Sequence, residues 1–221
     1  MNDTVRTIVV VSAGLSQPSS TRLLADRLAA ATQRHLGEAG VESRLEVVEL
    51  RQHAHDLADH LVAGFPSPAL QEAIDAVLGA DGLIAVGPIF NASYSGLFKL
   101  FFDVVERDAL AGTPVLVAAT GGTARHSLAL EHAFRPLFAY LGAAIVPTAV
   151  YAASEDWGRA GMPADATLVE RIDRAAGELA RETARREPAT RRDPFAAPDS
   201  FATTFESIRG AGSRRGRHDD G

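Results

Sequence analysis

Short apolar runs rich in β-branched residues alternate with segments of helical periodicity along most of this chain. Residues 7–11 read Thr-Ile-Val-Val-Val, a run that is apolar on both faces and too short for a helix. Such a run is typical of a central parallel strand. Further strand signals lie at residues 45–50, 81–87, 113–119 and 144–151, and helical spacing lies between them at residues 23–36, 69–78, 95–107 and 127–141. The pattern predicts an α/β fold with a flavodoxin-like, doubly wound, five-stranded parallel sheet in the order 2-1-3-4-5.

The character of the sequence changes after the fifth predicted strand. Residues 167–186 place apolar side chains on one stripe and predict a C-terminal helix. Pro, Arg and Asp dominate beyond that helix, and residues 210–221 hold no aliphatic side chain larger than alanine. We expect one flavodoxin-like domain over residues 1–186, followed by an extension over residues 187–221 that is largely irregular or disordered.

Composition argues against several classes of function. The 221-residue chain has 28 acidic and 22 basic side chains, and its formal net charge of −6 gives no reason to expect nucleic-acid binding. The absence of cysteine excludes disulfides, thiol redox chemistry and cysteine metal sites. No segment approaches the roughly 20 uninterrupted apolar residues of a membrane span, and no secretory signal is visible. We therefore expect a cytoplasmic protein with neither nucleic acid nor membrane as a partner.

Three loops that follow predicted strands carry most of the residues that indicate chemistry. The first loop spans residues 12–22, the second residues 87–96 and the third residues 119–126. Ligands of open α/β sheets bind in the crevice outside the carboxyl ends of the strands. The three loops are therefore expected to form one site.

The first loop is rich in hydroxyl groups and opens a helix. A monophosphate at a helix N-terminus meets free backbone N–H groups and the positive end of the helix dipole. Capping alone needs one hydroxyl residue, whereas this loop has four within six positions. It lacks both the Gly-Lys-Ser/Thr of a triphosphate-binding loop and the Gly-x-Gly-x-x-Gly of a dinucleotide site. The candidate phosphate-binding residues are Ser16, Ser19, Ser20, Thr21 and Arg22.

The second loop contains two aromatic residues that could flank a planar ring. Small residues between them keep the loop thin, although core packing explains the aromatic residues equally well when they are considered alone. The candidate ring-binding residues are Pro88, Ile89, Phe90, Asn91, Ala92, Ser93 and Tyr94.

The third loop presents consecutive backbone N–H groups beside two glycines, and the simpler alternative is a glycine turn before a helix. One phosphate site, one flat-ring site and one backbone-donor site together suit flavin mononucleotide (FMN), whose reduced form carries negative charge that such donors stabilise. The candidate donor residues are Thr120, Gly121, Gly122 and Thr123. A metal site at His53, His55 and Asp56 lacks a sheltered setting, so none is predicted.

Together the loops resemble the NAD(P)H-dependent FMN reductases. In particular they resemble the two-component reductases that supply reduced flavin to alkanesulfonate-type monooxygenases, and the chain end is similar to that of an actinobacterial-type branch. The likeness covers about residues 7–151 and is strongest at residues 90–99, 107–114, 120–126 and 137–142. It implies phosphate contacts in the first loop, ring contacts in the second and pyrimidine-side contacts in the third.

The resemblance also carries expectations about assembly and local structure. Members of the family are commonly dimers or tetramers with flavin sites beside a subunit interface, which implies a homodimer or homotetramer. The helix at residues 95–107 and the phenylalanines beyond residue 187 also predict more apolar surface than one subunit should display. In sulfonate-linked members the helix after the third loop can carry an inserted residue that widens one turn, and His132 falls near that place.

The implied activity is hydride transfer from NAD(P)H to FMN, with a monooxygenase as the partner that receives the reduced flavin. Direct transfer between stacked rings needs no side-chain acid or base, so no catalytic residue is predicted. Arg22 and Arg125 are candidates for the 2′-phosphate of NADPH, which favours NADPH as the donor. An FMN-bound quinone or azo-compound reductase remains an alternative. So does a non-catalytic electron carrier, although such carriers tend to be strongly acidic.

Overall fold

Helices cover both faces of a parallel sheet in the computed structural model, which describes residues 5–157 and 166–187. The strands are β1 (Arg6–Ser12), β2 (Ser43–Glu49), β3 (Gly82–Phe90), β4 (Ser93–Tyr94), β5 (Pro114–Gly121), β6 (Ala144–Ile145) and β7 (Val150–Ala153). The helices are α1 (Ser20–Glu38), α2 (Ala54–Ala63), α3 (Pro68–Leu78), α4 (Gly96–Asp103), α5 (Arg135–Tyr140) and α6 (Ala166–Arg185), with a π-helix at Leu130–Phe134. The predicted extension lies, apart from its first residue, outside the described residues. Within the described ranges, no helix has the length and apolar character that a membrane crossing requires.

The strand order β2-β1-β3-β5-β6 confirms a flavodoxin-like parallel sheet, but the prediction of exactly five strands is wrong. Strand β4 pairs antiparallel with the end of β3, and the predicted fifth strand consists of β6 and β7, which both pair parallel with β5. Between them Pro147 has no N–H group for the ladder. The Arg135 guanidinium donates hydrogen bonds to the carbonyls of Val146, at 3.1 Å, and Pro147, which fixes the interruption.

The apolar run of β1 is explained by burial on both faces of the sheet. Val9 and Val11 pack in the core beneath α2, α3, α4 and α5, whereas Ile8 and Val10 pack beneath α1 and α6. All four side chains are fully buried. Two-sided burial of a central strand is what the uninterrupted β-branched run predicted.

Several helix predictions differ from the structure in extent. The helix predicted at residues 95–107 ends at Asp103, and its phenylalanines at 98, 101 and 102 are buried in their own subunit. Their burial removes this helix as a source of exposed apolar surface.

The segment 127–141 is not one α-helix, because the π-helix precedes α5. The π-helix includes His132, at the place that the family resemblance indicated. Helix α2 was not predicted, and only Leu57 of its ten residues is buried, so most of its apolar side chains are not part of the core.

Replacing Thr183 by Val is expected to raise the free energy of unfolding. Thr183 is fully buried on α6, and its hydroxyl has no hydrogen-bond partner among the described residues. An unsatisfied buried hydroxyl costs about 1–3 kcal/mol, so removing it should recover about 1 kcal/mol. Thr32→Val is the matched control, because that buried hydroxyl donates to the Leu28 carbonyl at 2.9 Å. Urea denaturation should therefore show a higher free energy of unfolding for Thr183→Val and a lower one for Thr32→Val. A lower free energy of unfolding in both variants would contradict the expectation.

Candidate active site

The three loops meet at the carboxyl edge of the sheet, because β1, β3 and β5 are neighbours in it. Ser12 at the end of β1 is aligned with Val86, and Pro88 with Thr120. The hydroxyl oxygens of Thr21 and Thr120 lie 2.8 Å apart in a buried hydrogen bond. This bond joins the first loop to the third across the end of β3, from which the second loop continues.

The start of α1 is built to leave backbone N–H groups available. Ser19 is the N-cap residue, and its Oγ accepts a hydrogen bond from the Arg22 backbone N–H at 3.2 Å. A Cβ on Gly14 would lie 2.1 Å from the Ser19 Oγ, so the loop closes this tightly only with glycine there. The first turn of α1 contains no acidic residue. This helix end is therefore suited to an anion.

A cavity of about 310 Å³ opens beside the first loop. Ser16, Ser19 and Arg22 of the predicted phosphate residues line it. Ser20 is exposed, whereas Thr21 is 3% exposed and directs its hydroxyl to Thr120. Thr21 therefore serves the junction between the loops and is not part of the cavity wall.

The charged side chains of the cavity are linked to one another by ion pairs. The Arg22 Nε donates to the Asp26 carboxylate at 2.7 Å, and its guanidinium also pairs with Glu49. The Asp26 hydrogen bond raises the pKa of Arg22. Arg51 pairs with Glu49 at 3.2 Å and faces the Gln17 side-chain amide, whose oxygen accepts a hydrogen bond from the Arg51 guanidinium. Sequence reasoning missed Gln17, Glu49 and Arg51. The signal that could have found the last two is their place at the carboxyl end of β2, beside β1.

The second loop is a tight hairpin whose tip is exposed. Phe90 pairs with Ser93, and the intervening Asn91 and Ala92 have φ values of 49° and 68°, as a two-residue hairpin turn requires. Phe90 is 48% exposed, whereas Tyr94 is partly buried and stacks on Phe98 at 5.9 Å between ring centroids. Of the two aromatic residues expected to flank a ring, Phe90 is the one that the fold displays. Pro88 is buried beneath the hairpin and Ile89 is partly buried.

The third loop is fixed by a residue that sequence reasoning did not assign to the site. The Tyr151 hydroxyl on β7 donates a hydrogen bond to the Thr123 carbonyl at 2.8 Å. A Cβ on Gly121 would lie 2.0 Å from the same hydroxyl, whereas one on Gly122 would meet nothing within 4 Å. Burial raises the pKa of Tyr151, which keeps its hydroxyl protonated and able to donate. The loop is thus held at both ends, by Thr120 and by Thr123, with Gly122 open between them.

Comparison with known proteins identifies the family of the chain. The family model for NADPH-dependent FMN reductase matches residues 6–158. The FMN reductase (NADPH) of Pseudomonas aeruginosa is 40% identical over 151 residues, covering 68% of this chain and 78% of the relative. The NADH-dependent FMN reductase SfnF of Pseudomonas putida is 37% identical over 174 residues, covering 78% and 91%. A solved oxidoreductase structure from Corynebacterium diphtheriae is 44% identical with a TM-score of 0.79, covering 83% of this chain and 99% of that one. The chain belongs to the NADPH-dependent FMN reductase family.

Proposed function

We propose that this enzyme transfers hydride from a reduced nicotinamide nucleotide to FMN where the three loops meet, and supplies the reduced flavin to a partner monooxygenase. The observation that carries the proposal is the Thr21–Thr120 hydrogen bond, which joins a hydroxyl-rich helix start to a glycine loop at the carboxyl edge of the sheet. Membership of the family supports the reaction, and the relative from Pseudomonas putida, an NADH-dependent FMN reductase, supports a reduced nicotinamide nucleotide as the hydride donor.

The residues present fit FMN in the chemistry of their donors. Gly14 lets Ser19 close over the start of α1, and the open space at Gly122 leaves a backbone surface that a flat ring can approach. In this proposal the phosphate lies against Ser16, Ser19, Ser20 and Arg22, with Thr21 holding the loop. The ring lies against residues 88–94 and the third loop, which comprises Thr120, Gly121, Gly122 and Thr123 on that side.

FMN, when bound, supplies a ring that accepts hydride directly from nicotinamide. The chain then has three tasks: it binds the phosphate, orients the ring and stabilises the negative charge of the product. The braced third loop performs the last task with backbone donors that need little reorganisation. None of these tasks requires a side-chain acid or base, which is why we assign no catalytic residue.

Selection of NADPH is assigned to Arg125 in preference to Arg22. Arg22 is paired with Asp26 and Glu49, whereas no ion pair of the exposed Arg125 is present within the described ranges. Arg125→Gln should raise the KM for NADPH about tenfold and leave that for NADH unchanged, because only NADPH carries a 2′-phosphate. Arg174→Gln is the control, because Arg174 on α6 is also exposed and has no ion pair within the described ranges. Equal changes for both nucleotides in steady-state assays would contradict the assignment.

We also propose that the domain over residues 1–186 assembles as a homodimer or homotetramer. Helix α4 offers no apolar surface for this assembly, because its phenylalanines are buried, but exposed apolar residues lie on other elements. Leu128 and Tyr140, on the segment that contains the π-helix and α5, are 62% and 63% exposed. Burial of these side chains against a second subunit would remove their apolar surface from water and so favour assembly.

Equilibrium titration with FMN and FAD tests the binding part of the proposal. The first loop is suited to one terminal phosphate, so FMN should bind more tightly than FAD. Riboflavin, which has no phosphate, should bind more weakly than FMN. Markedly tighter binding of FAD would contradict the proposal.

A further inference from the structure

Glu49 places a carboxylate in the wall of the cavity that is proposed to receive the FMN phosphate, and the inference here rests on that proposed function. Glu49 is the last residue of β2, and its side chain is 24% exposed. It forms ion pairs with both Arg22 and Arg51, so it contacts each arginine of the cavity. The other acidic residue, Asp26, is 52% exposed, and within the described part of the chain its ion pair is with Arg22.

The charges of this cavity balance without any ligand. Arg22 and Arg51 contribute two positive charges, and Asp26 and Glu49 contribute two negative charges. A bound phosphate monoester adds about −1.5 to −2 at neutral pH. In the proposed site it would share the guanidinium of Arg22 with Glu49, and it would meet a carboxylate of the same sign.

We propose that Glu49 limits the affinity of the enzyme for the phosphate of FMN, so that the flavin exchanges readily instead of remaining as a resident cofactor. A carboxylate already paired with Arg22 and Arg51 lowers the net attraction of the cavity for an anion. It also preserves the positions of both arginines when the flavin leaves. Fast exchange suits an enzyme whose reduced flavin is consumed by another protein.

Glu49→Gln tests this inference, because it removes the charge and keeps the size of the side chain. The Kd for FMN, measured by quenching of flavin fluorescence, should fall about fivefold to tenfold, since one like-charge contact in a partly exposed site is removed. The Kd for riboflavin should not change, because riboflavin has no phosphate. The difference in FMN affinity between Glu49→Gln and the wild type should become smaller at high ionic strength. Glu49→Ala should act in the same direction if Glu49→Gln is poorly folded.

Glu46→Gln is the matched control, since Glu46 is exposed on the same strand and is not among the residues lining the cavity. It should leave both affinities unchanged. An unchanged or weaker affinity of Glu49→Gln for FMN would overturn the inference while the proposed function stands, and so would an equal gain for riboflavin. If the wild-type enzyme does not bind FMN, the proposed function itself fails, and the inference fails with it.

Discussion

Gly121→Val is expected to abolish FMN binding, with a Kd more than about a hundredfold above that of the wild type. The first atom of the new side chain would lie 2.0 Å from the Tyr151 hydroxyl oxygen. That hydroxyl holds the Thr123 carbonyl, so the substitution must displace Tyr151 and release the third loop. Because the third loop is expected to meet the flavin ring, a valine there would also obstruct the ring. The structure adds a different cause, a clash inside the protein.

Two comparisons isolate that cause. Gly37→Val is the control, because a Cβ at Gly37 meets nothing within 4 Å. Gly121→Ala should be less harmful when Tyr151 is replaced by Phe, since the nearest remaining atom of the ring is then the Cζ at 3.0 Å. Thermal unfolding should show that each variant still folds. Equal effects of Gly121→Ala in both backgrounds would exclude the hydroxyl as the obstacle, and normal FMN binding by Gly121→Val would contradict the assignment of this loop.

Replacing Ser19 and Thr21 together by Ala should weaken FMN binding by about 1–3 kcal/mol. Ser19 lines the cavity and caps α1, and Thr21 forms the bond to Thr120 that joins the loops. The double variant therefore loses a hydroxyl at the phosphate site and the junction with the third loop. Titration with FMN measures the effect. A Kd within twofold of the wild type, which corresponds to about 0.4 kcal/mol, would show that the phosphate does not bind at the first loop.

Loss of a helix cap also lowers stability by about 1 kcal/mol, so this effect must be separated from binding. Ser67→Ala is the matched variant, because Ser67 caps α3 and accepts from the Leu70 N–H at 3.2 Å. It should lose comparable stability and retain the wild-type Kd for FMN. Weaker binding in Ser67→Ala would show that the binding assay follows general destabilisation.

The main features of the fold follow from local patterns. A continuous β-branched run predicts β1, because a central strand is buried on both faces of the sheet. Apolar residues at helical spacing predict α1, because a helix is buried along one stripe. The first loop also carries its own signal, since Ser19 caps the helix that the spacing predicts. Helix α2 was missed because its ten residues are short for a periodic pattern and bury only Leu57, so burial leaves little trace in its sequence.

The residues that were missed act through contacts between distant segments. Tyr151 reaches Thr123 from the neighbouring strand, and Glu49 reaches Arg22 across the edge of the sheet. Neither contact can be derived from how far apart the two residues are in the sequence. The position of each residue at a strand end narrows the choice, but the partner is known only once the strands are placed beside each other.

The most direct test of the account is anaerobic stopped-flow reduction of the enzyme with FMN by NADPH or NADH. Loss of the flavin absorbance band, in one turnover at saturating nucleotide, should occur much faster than without protein. Removal of FMN should abolish rapid oxidation of the nucleotide. If the enzyme binds FMN but oxidises neither nucleotide, the proposed hydride transfer is contradicted, and a flavin-binding electron carrier becomes the better description.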